Sequence, residues 1–251
     1  MVPAGYERLL LGHAIAVARS DLALNVRQSL ISADGTKCTL HEYASNHAAS
    51  RPLKGRGTAY AVPLPQTTVR VVVRHNRHGG LLASLTGDRF FSPTRAPYEL
   101  ETSLQLQRLG IPTPDIVAYA LYPPGGMLQR SDVCTREIPG SRDLADILRH
   151  DDGAARAEAL GATARLVGAL ARAGARHHDL NAKNVLLTRE TAYVLDVDRV
   201  TLGGQSSQVL DENLARLARS LKKCREEFGA HVTDSDIATL DAESRRALQT
   251  G

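Results

Sequence analysis

The sequence predicts an α+β protein with an antiparallel, strand-rich first part and a smaller, mainly helical second part. Three observations carry this expectation. Up to about residue 135 the chain runs in short β-prone stretches broken by turns, and one helical stretch interrupts them. From about residue 140 the apolar residues recur every three or four positions, as on one face of a helix. The texture changes at Ile138-Pro139-Gly140, a rigid residue followed by a permissive one. Residues 1–137 are therefore expected to form an N-terminal lobe and residues 138–251 a C-terminal lobe.

The expected strands are Ala14–Val17, Ala59–Val62, Val69–Arg74, Ile116–Tyr122 and Asp132–Glu137. Val69–Arg74 is a continuous β-branched run, which predicts a strand covered on both faces. The interrupting helix spans about Arg95 to Leu109, with Leu100, Leu104 and either Leu106 or Gln107 facing inward. Gly110, Pro112 and Pro114 stop it. In the second part, Ala154–Ala173 reads as a helix with Leu160, Ala164, Val167 and Ala171 on one face, closed by Gly174. Leu214, Leu217, Leu221, Cys224 and Phe228 mark another, expected to begin near Glu212. Residues 1–45 carry no recognisable motif.

The 251 residues are 43% hydrophobic and 23% charged, ordinary usage for a globular chain that can bury a core. Trp is absent and aromatics make up 4%, so the core rests on Leu, Val, Ile and Ala. Stacking platforms for nucleic acid are correspondingly scarce. Three scattered cysteines argue against a disulfide framework or a zinc knuckle and suit a reducing compartment. No stretch approaches the ~20 apolar residues that span a bilayer, so any membrane contact is expected to be peripheral. The formal charge is +4, and the segment from Arg70 to Arg95 could hold all of it: Arg70, Arg74, Arg77, Arg89 and Arg95 against Asp88 alone. Such a run is either a solvated rim or a docking patch for phosphate, an acidic sugar or an anionic membrane.

The chemistry concentrates in His177-His178-Asp179-Leu180-Asn181-Ala182-Lys183-Asn184, followed by two short apolar strands around Thr188–Thr191 and then Asp196. Closing that hairpin returns Asp196 to the neighbourhood of Asn184. A single Asp or Asn beside a turn is ordinarily a backbone cap. This set, however, offers oxygen ligands suited to magnesium from Asn184 and Asp196, and a carboxylate at Asp179 to orient a hydroxyl and take its proton. His177, Asp179, Leu180 and Asn184 stand at the spacing of the protein-kinase catalytic loop, which predicts a protein-kinase-like two-lobed fold. In this context His177 braces the loop, and Lys183 is either a phosphate contact or a solvated lysine.

With Asp196-Val197-Asp198-Arg199 after it, the segment resembles the lipopolysaccharide kinases of the Kdo/WaaP family. Gly55-Arg56-Gly57-Thr58-Ala59 is similar to the family's glycine loop, and Val72 to Gly80 to its third strand and the Arg-rich turn that follows. Thr94–Glu99 and Gly110–Pro114 resemble the two ends of its helix C, and Asn213–Lys223 its terminal helix. The likeness spans about residues 52 to 225. It implies ATP and Mg2+, with Asp179 as base and Asn184 and Asp196 as metal ligands. It also implies an ATP site of Gly55, Gly57, Arg74 paired with Glu99, and the backbone of Arg136 and Ile138. Asp198 replaces the usual glycine and becomes either a further ligand or a partner of Arg199. The strand cation is Arg74 where protein kinases carry Lys, a bulkier, planar charge.

Only a short segment follows Asp198 before the next helix, where protein kinases bind peptides, so a small or lipid-linked acceptor is expected. The resemblance implies the 4-hydroxyl of 3-deoxy-D-manno-octulosonic acid (Kdo) on a lipid A precursor, at the cytoplasmic face of the inner membrane. Arg77, Arg89 and Arg95 would then dock the acceptor or the membrane. The loop motif alone leaves open a heptose kinase, an aminoglycoside-type phosphotransferase, a RIO-like kinase or a non-catalytic binding module.

Overall fold

The computed structural model describes residues 2–31, 35–53, 59–75, 90–91, 95–122, 128–151 and 153–250. By contacts the chain divides into one unit of Met1–Glu101 with Asp115–Glu137 and another of Thr102–Pro114 with Ile138–Gly251.

The first unit is an antiparallel sheet. Its strands are β1 (Tyr6–Leu11), β2 (Ala14–Arg19), β3 (Arg51–Leu53), β4 (Ala59–Pro63), β5 (Arg70–His75), β6 (Phe90–Phe91), β7 (Ile116–Tyr122) and β8 (Leu128–Arg136). They lie in the order β1-β2-β7-β8-β5-β4-β3, with β6 paired to β8. Helices α1 (Ala23–Ser29) and α2 (Leu40–Asn46) pack on it, and α3 (Arg95–Arg108) begins in the same unit. The expected strands are all present, and the α+β architecture of an antiparallel sheet with helices is as predicted, with α1 and α2 in addition to the one main helix expected.

Two expectations change. β5 is fully covered on one face only: Val71 and Val73 are buried, whereas Arg70, Val72 and Arg74 are half-buried. In an antiparallel sheet the faces alternate, and here α1 and α2 cover the Val71 face while the other carries arginines engaged in ion pairs. The N-terminal residues without a motif prove structural. They supply β1, β2, α1 and α2, and Ala16, Ala18, Val26, Leu30, Leu40 and Ala44 join Val62, Val71, Val73 and Cys134 in one core. α2 starts with a capping box, Thr39 accepting from Glu42 N–H while the Glu42 carboxylate accepts from Thr39 N–H.

The second unit is mainly helical. Its elements are β9 (Arg142–Asp143), α4 (Leu144–His150), α5 (Gly153–Arg172), β10 (Arg176–His177), β11 (Val185–Leu187), β12 (Ala192–Val194), β13 (Val200–Thr201), α6 (Ser206–Phe228) and α7 (Asp234–Gln249). The predicted inner face of α5 is buried, and its α5-to-β10 turn uses Gly174 at φ +63, where an added Cβ would meet the Gly204 carbonyl at 2.6 Å. α6 begins one and a half turns earlier than expected. No side chain caps its start, so the sequence carries no start signal, yet Val209 and Leu210 are buried and extend its apolar stripe. On α3 the inward residues are Leu100 and Leu106; Leu104 is half-exposed. None of the three cysteines is in a disulfide.

Candidate active site

The His177–Asn184 segment lies between β10 and the β11–β12 hairpin, and hydrogen bonds from both ends stitch it together. β10 pairs with β13, and Val185 pairs with Val194 across the hairpin. At the hairpin's open end Leu195 N–H donates to the Asn184 carbonyl at 2.9 Å, which brings Asp196 beside Asn184. Asn184, 8% exposed, donates from Nδ2 to the Asp179 carbonyl at 2.8 Å. Its amide oxygen is thereby turned away from the loop backbone.

His177 holds the remaining side of this frame. It is fully buried; the Asp179 N–H donates to its Nδ1 at 3.1 Å, and its Nε2 lies 2.9 Å from the Leu195 carbonyl. A carbonyl can only accept and an amide N–H can only donate. The ring is therefore neutral, with its proton on Nε2. Burial lowers its pKa below the ordinary 6.5, against smaller opposing effects of the Leu195 hydrogen bond and of Asp196 and Asp179. One imidazole thus ties the residue before Asp196 to Asp179. Both ring nitrogens are engaged with the loop backbone, the bracing contacts expected of it.

Asp179 is exposed, and its carboxylate takes no hydrogen bond from a described residue. Asp196 adopts φ 53, ψ 47, the left-handed region that a non-glycine residue rarely occupies. Asp198 lies 3.7 Å from Arg199 Nε, a long ion pair. Lys183 turns toward the end of α6, with its ammonium 5.8 Å from the centre of the Phe228 ring. His178 is exposed and bonds the Thr201 hydroxyl at 3.0 Å.

Two residues of α6 support the loop, and sequence reasoning missed both. Asn213, with no exposed surface, accepts from His177 N–H at 3.0 Å and donates to the Ala175 carbonyl at 3.1 Å. Ser220 accepts from Ala182 N–H at 3.0 Å. The available signal was a pair of polar residues on the inward side of an otherwise apolar helical stripe, where an unpaired polar group would be costly.

In the first unit Arg74 donates to Glu99 in an ion pair, with Glu99 only 2% exposed. Arg70 Nε donates to Glu137 at 2.7 Å, and Arg51 reaches the same carboxylate at 2.5 Å. The basic run is therefore partly paired, and only Arg95 of its expected docking residues is described, exposed at the start of α3. Gly55, Gly57, Arg77 and Arg89 lie outside the described residues. At the end of β8 the Arg136 N–H donates to the Asp115 carbonyl at 2.8 Å. The Ile138 carbonyl accepts from the Ser141 hydroxyl at 2.7 Å.

A family model described as the lipopolysaccharide kinase (Kdo/WaaP) family matches residues 43–243. The chain belongs to this family. The lipopolysaccharide kinase match agrees with the relatives it resembles. It is 33% identical over 195 residues to the 3-deoxy-D-manno-octulosonic acid kinase of Vibrio vulnificus strain YJ016, covering 74% of this chain and 78% of that protein. It is 34% identical over 194 residues to the enzyme of the same name from Stenotrophomonas maltophilia strain K279a, covering 74% of each. The solved structure of WaaP in complex with acyl carrier protein overlaps 80% of this chain and 78% of that one, with a TM-score of 0.49 and 18% identity. Family membership and these relatives make the chain a lipopolysaccharide kinase. Among the described residues no group of three or more His, Cys, Asp or Glu could hold a metal ion. No helix among the described residues is long and apolar enough to cross a membrane.

Proposed function

We propose that this kinase transfers the γ-phosphoryl group of ATP to the 4-hydroxyl of a Kdo residue on a lipid A precursor. The observation that carries this reading is the loop frame itself, in which His177 and Asn184 hold Asp179 and the backbone entering Asp196 together. Asp179 is the base: exposed on a braced loop, it accepts a hydrogen bond from the acceptor hydroxyl and takes its proton as the new O–P bond forms and the bond to ADP breaks. The Asn184 amide oxygen and the Asp196 carboxylate, with Asp198 as a further oxygen, suit Mg2+, which would neutralise charge on the phosphates. Mixed amide and carboxylate donors are what a hard cation takes.

Arg74, held by the buried Glu99, is the cation for the ATP phosphates. A bidentate guanidinium serves here as lysine does elsewhere. The Arg136 N–H and the Ile138 carbonyl already have partners in the fold, which leaves the Ile138 N–H for adenine. Gly55 and Gly57 complete the nucleotide site by letting backbone amides approach phosphate. The acceptor reading is supported by the relatives, which bear the name 3-deoxy-D-manno-octulosonic acid kinase at 33–34% identity. Because that sugar sits on a lipid, the enzyme works peripherally at the cytoplasmic face of the inner membrane.

The decisive experiment is mass spectrometry of a Kdo-bearing lipid A precursor after incubation with the enzyme and Mg-ATP. A gain of one phosphate on the Kdo residue is expected. No gain there, with transfer instead to a heptosylated core or an aminoglycoside, would overturn the acceptor assignment.

A further inference from the structure

Phe228 ends α6 with 44% of its surface exposed, and two cations lie against its ring. The Arg149 guanidinium carbon is 5.5 Å from the ring centre, and the Lys183 ammonium is 5.8 Å from it. The three residues come from separate places: the last turn of α4, the 3-10 turn Ala182–Asn184 of the catalytic loop, and the end of α6.

Two cations on one ring, one of them with a buried nitrogen lacking a partner, set this cluster apart. Among the described residues neither Arg149 nor Lys183 is in an ion pair, and Arg149 Nε is buried without a hydrogen-bond partner. Three other cations of α6 are paired: Arg216 with Glu212 at 3.3 Å, Lys223 with Glu227 at 3.6 Å, and Arg225 with Asp234 at 3.0 Å. The carboxylate that feels both cations is Asp143. It is half-buried, burial raises its pKa, and it already accepts from the Asp146 N–H at 2.8 Å. Cation–π attraction holds each positive group on the ring but neutralises neither, and the two repel each other. An anion entering between them would relieve that repulsion.

We propose that Arg149, Lys183 and Phe228 form the subsite for the anionic headgroup of the sugar acceptor. Its carboxylate or phosphate sits between the two cations, and the apolar face of its sugar ring lies on Phe228. This rests on the acceptor reading above and deepens it. Lys183 belongs to the loop that carries Asp179, and that loop is rigidly made. The Lys183 N–H donates to Asn181 Oδ1 at 3.0 Å, and the Asn184 N–H to the Asn181 carbonyl at 2.9 Å. An acceptor gripped by Lys183 is therefore held in register with the base.

The test measures initial rates with the full-length chain and a Kdo-bearing lipid A precursor in detergent micelles. Arg149→Gln, Lys183→Gln and Phe228→Leu should each raise KM for the acceptor about 10-fold, the scale of one charge-assisted contact, with KM for ATP unchanged. Wild-type KM should also rise with added sodium chloride, and R149Q/K183Q should lose most of that slope. Lys222→Gln, an exposed α6 lysine outside the cluster, should match wild type. Wild-type KM and salt slope in the double variant would overturn the subsite, as would equal loss of ATP affinity. Lys183 is exposed, so K183Q alone remains informative should R149Q fail to fold. If wild type transfers no phosphate to this acceptor, the functional reading fails by itself. Equilibrium binding of the same micelles then decides the subsite: binding weakened about 10-fold in the double variant supports it, and equal binding refutes it. Equal weakening on anionic phospholipid vesicles lacking the sugar would make the cluster a membrane contact and refute it too.

Discussion

Protonating His177 would remove the lone pair that accepts from the Asp179 N–H, so the folded chain resists charging this ring. Its pKa is lowered in the fold, and in the unfolded chain it returns to about 6.5. Below that value the unfolded state binds a proton that the folded state refuses. This part of the stability is present above about pH 6.5 and is lost as pH falls toward the folded pKa. Urea unfolding at several pH values should show the loss, and His177→Gln should flatten it; an unchanged pH dependence in that variant would contradict the tautomer assigned here. Asp179 gives a cleaner kinetic prediction. Asp179→Ala should lower kcat by about 10²–10⁴-fold, the usual share of a general base, with ATP affinity nearly unchanged. Comparable kcat in the variant would remove Asp179 from the base role.

At the scale of elements, α6 is the support of the 177–184 loop. Asn213 satisfies two backbone groups at the start of the loop, so Asn213→Ala leaves the His177 N–H and the Ala175 carbonyl buried and unpaired. The expected cost is about 1–3 kcal/mol, with a fall in kcat, because the loop loses the strand that anchors it. Asn213→Asp, which can still accept from His177 N–H, should recover part of the activity; thermal melts and rates on the three proteins check this. A second contact between elements is set by the absence of a side chain. α7 crosses α5 at Gly168, where an added Cβ would stand 2.7 Å from the Ala247 Cβ and 3.0 Å from its backbone. Gly168→Ala should therefore destabilise by about 1–3 kcal/mol although alanine favours helix, because α7 must shift outward. A melting temperature at or above wild type would show that α7 yields without cost.

The whole molecule depends on residues that the family match does not include. That match begins at residue 43, yet β1, β2, α1 and the start of α2 precede it and cover Val62, Val71, Val73 and Cys134. A chain lacking residues 1–42 would expose this apolar face and leave β7 as a bare sheet edge. It should be insoluble or fail to bind ATP, and a soluble, ATP-binding truncation would show that the N-terminal residues are dispensable. The formal charge of +4 likewise says little taken as a whole: Arg70 and Arg74 of the basic run are paired with Glu137 and Glu99, whereas Arg149 and Lys183, far outside that run, are among the described cations with no ion pair.

What could be read from the chain was local. The 177–184 loop, the hairpin after it, the strands and the principal helices all depend on spacing within a few residues. Periodicity, Gly and Pro stops and the loop pattern report such spacing directly. The tertiary structure decided what depends on partners far away in the chain. Asn213 lies 36 positions from His177 and Glu137 lies 67 from Arg70, and nothing local announces either pairing. The same holds for the single covered face of β5, for the use of residues 1–45 as half of a core, and for the neutral Nε2–H form of His177. Each is set by which groups burial leaves without water, and that follows from packing and not from the order of residues.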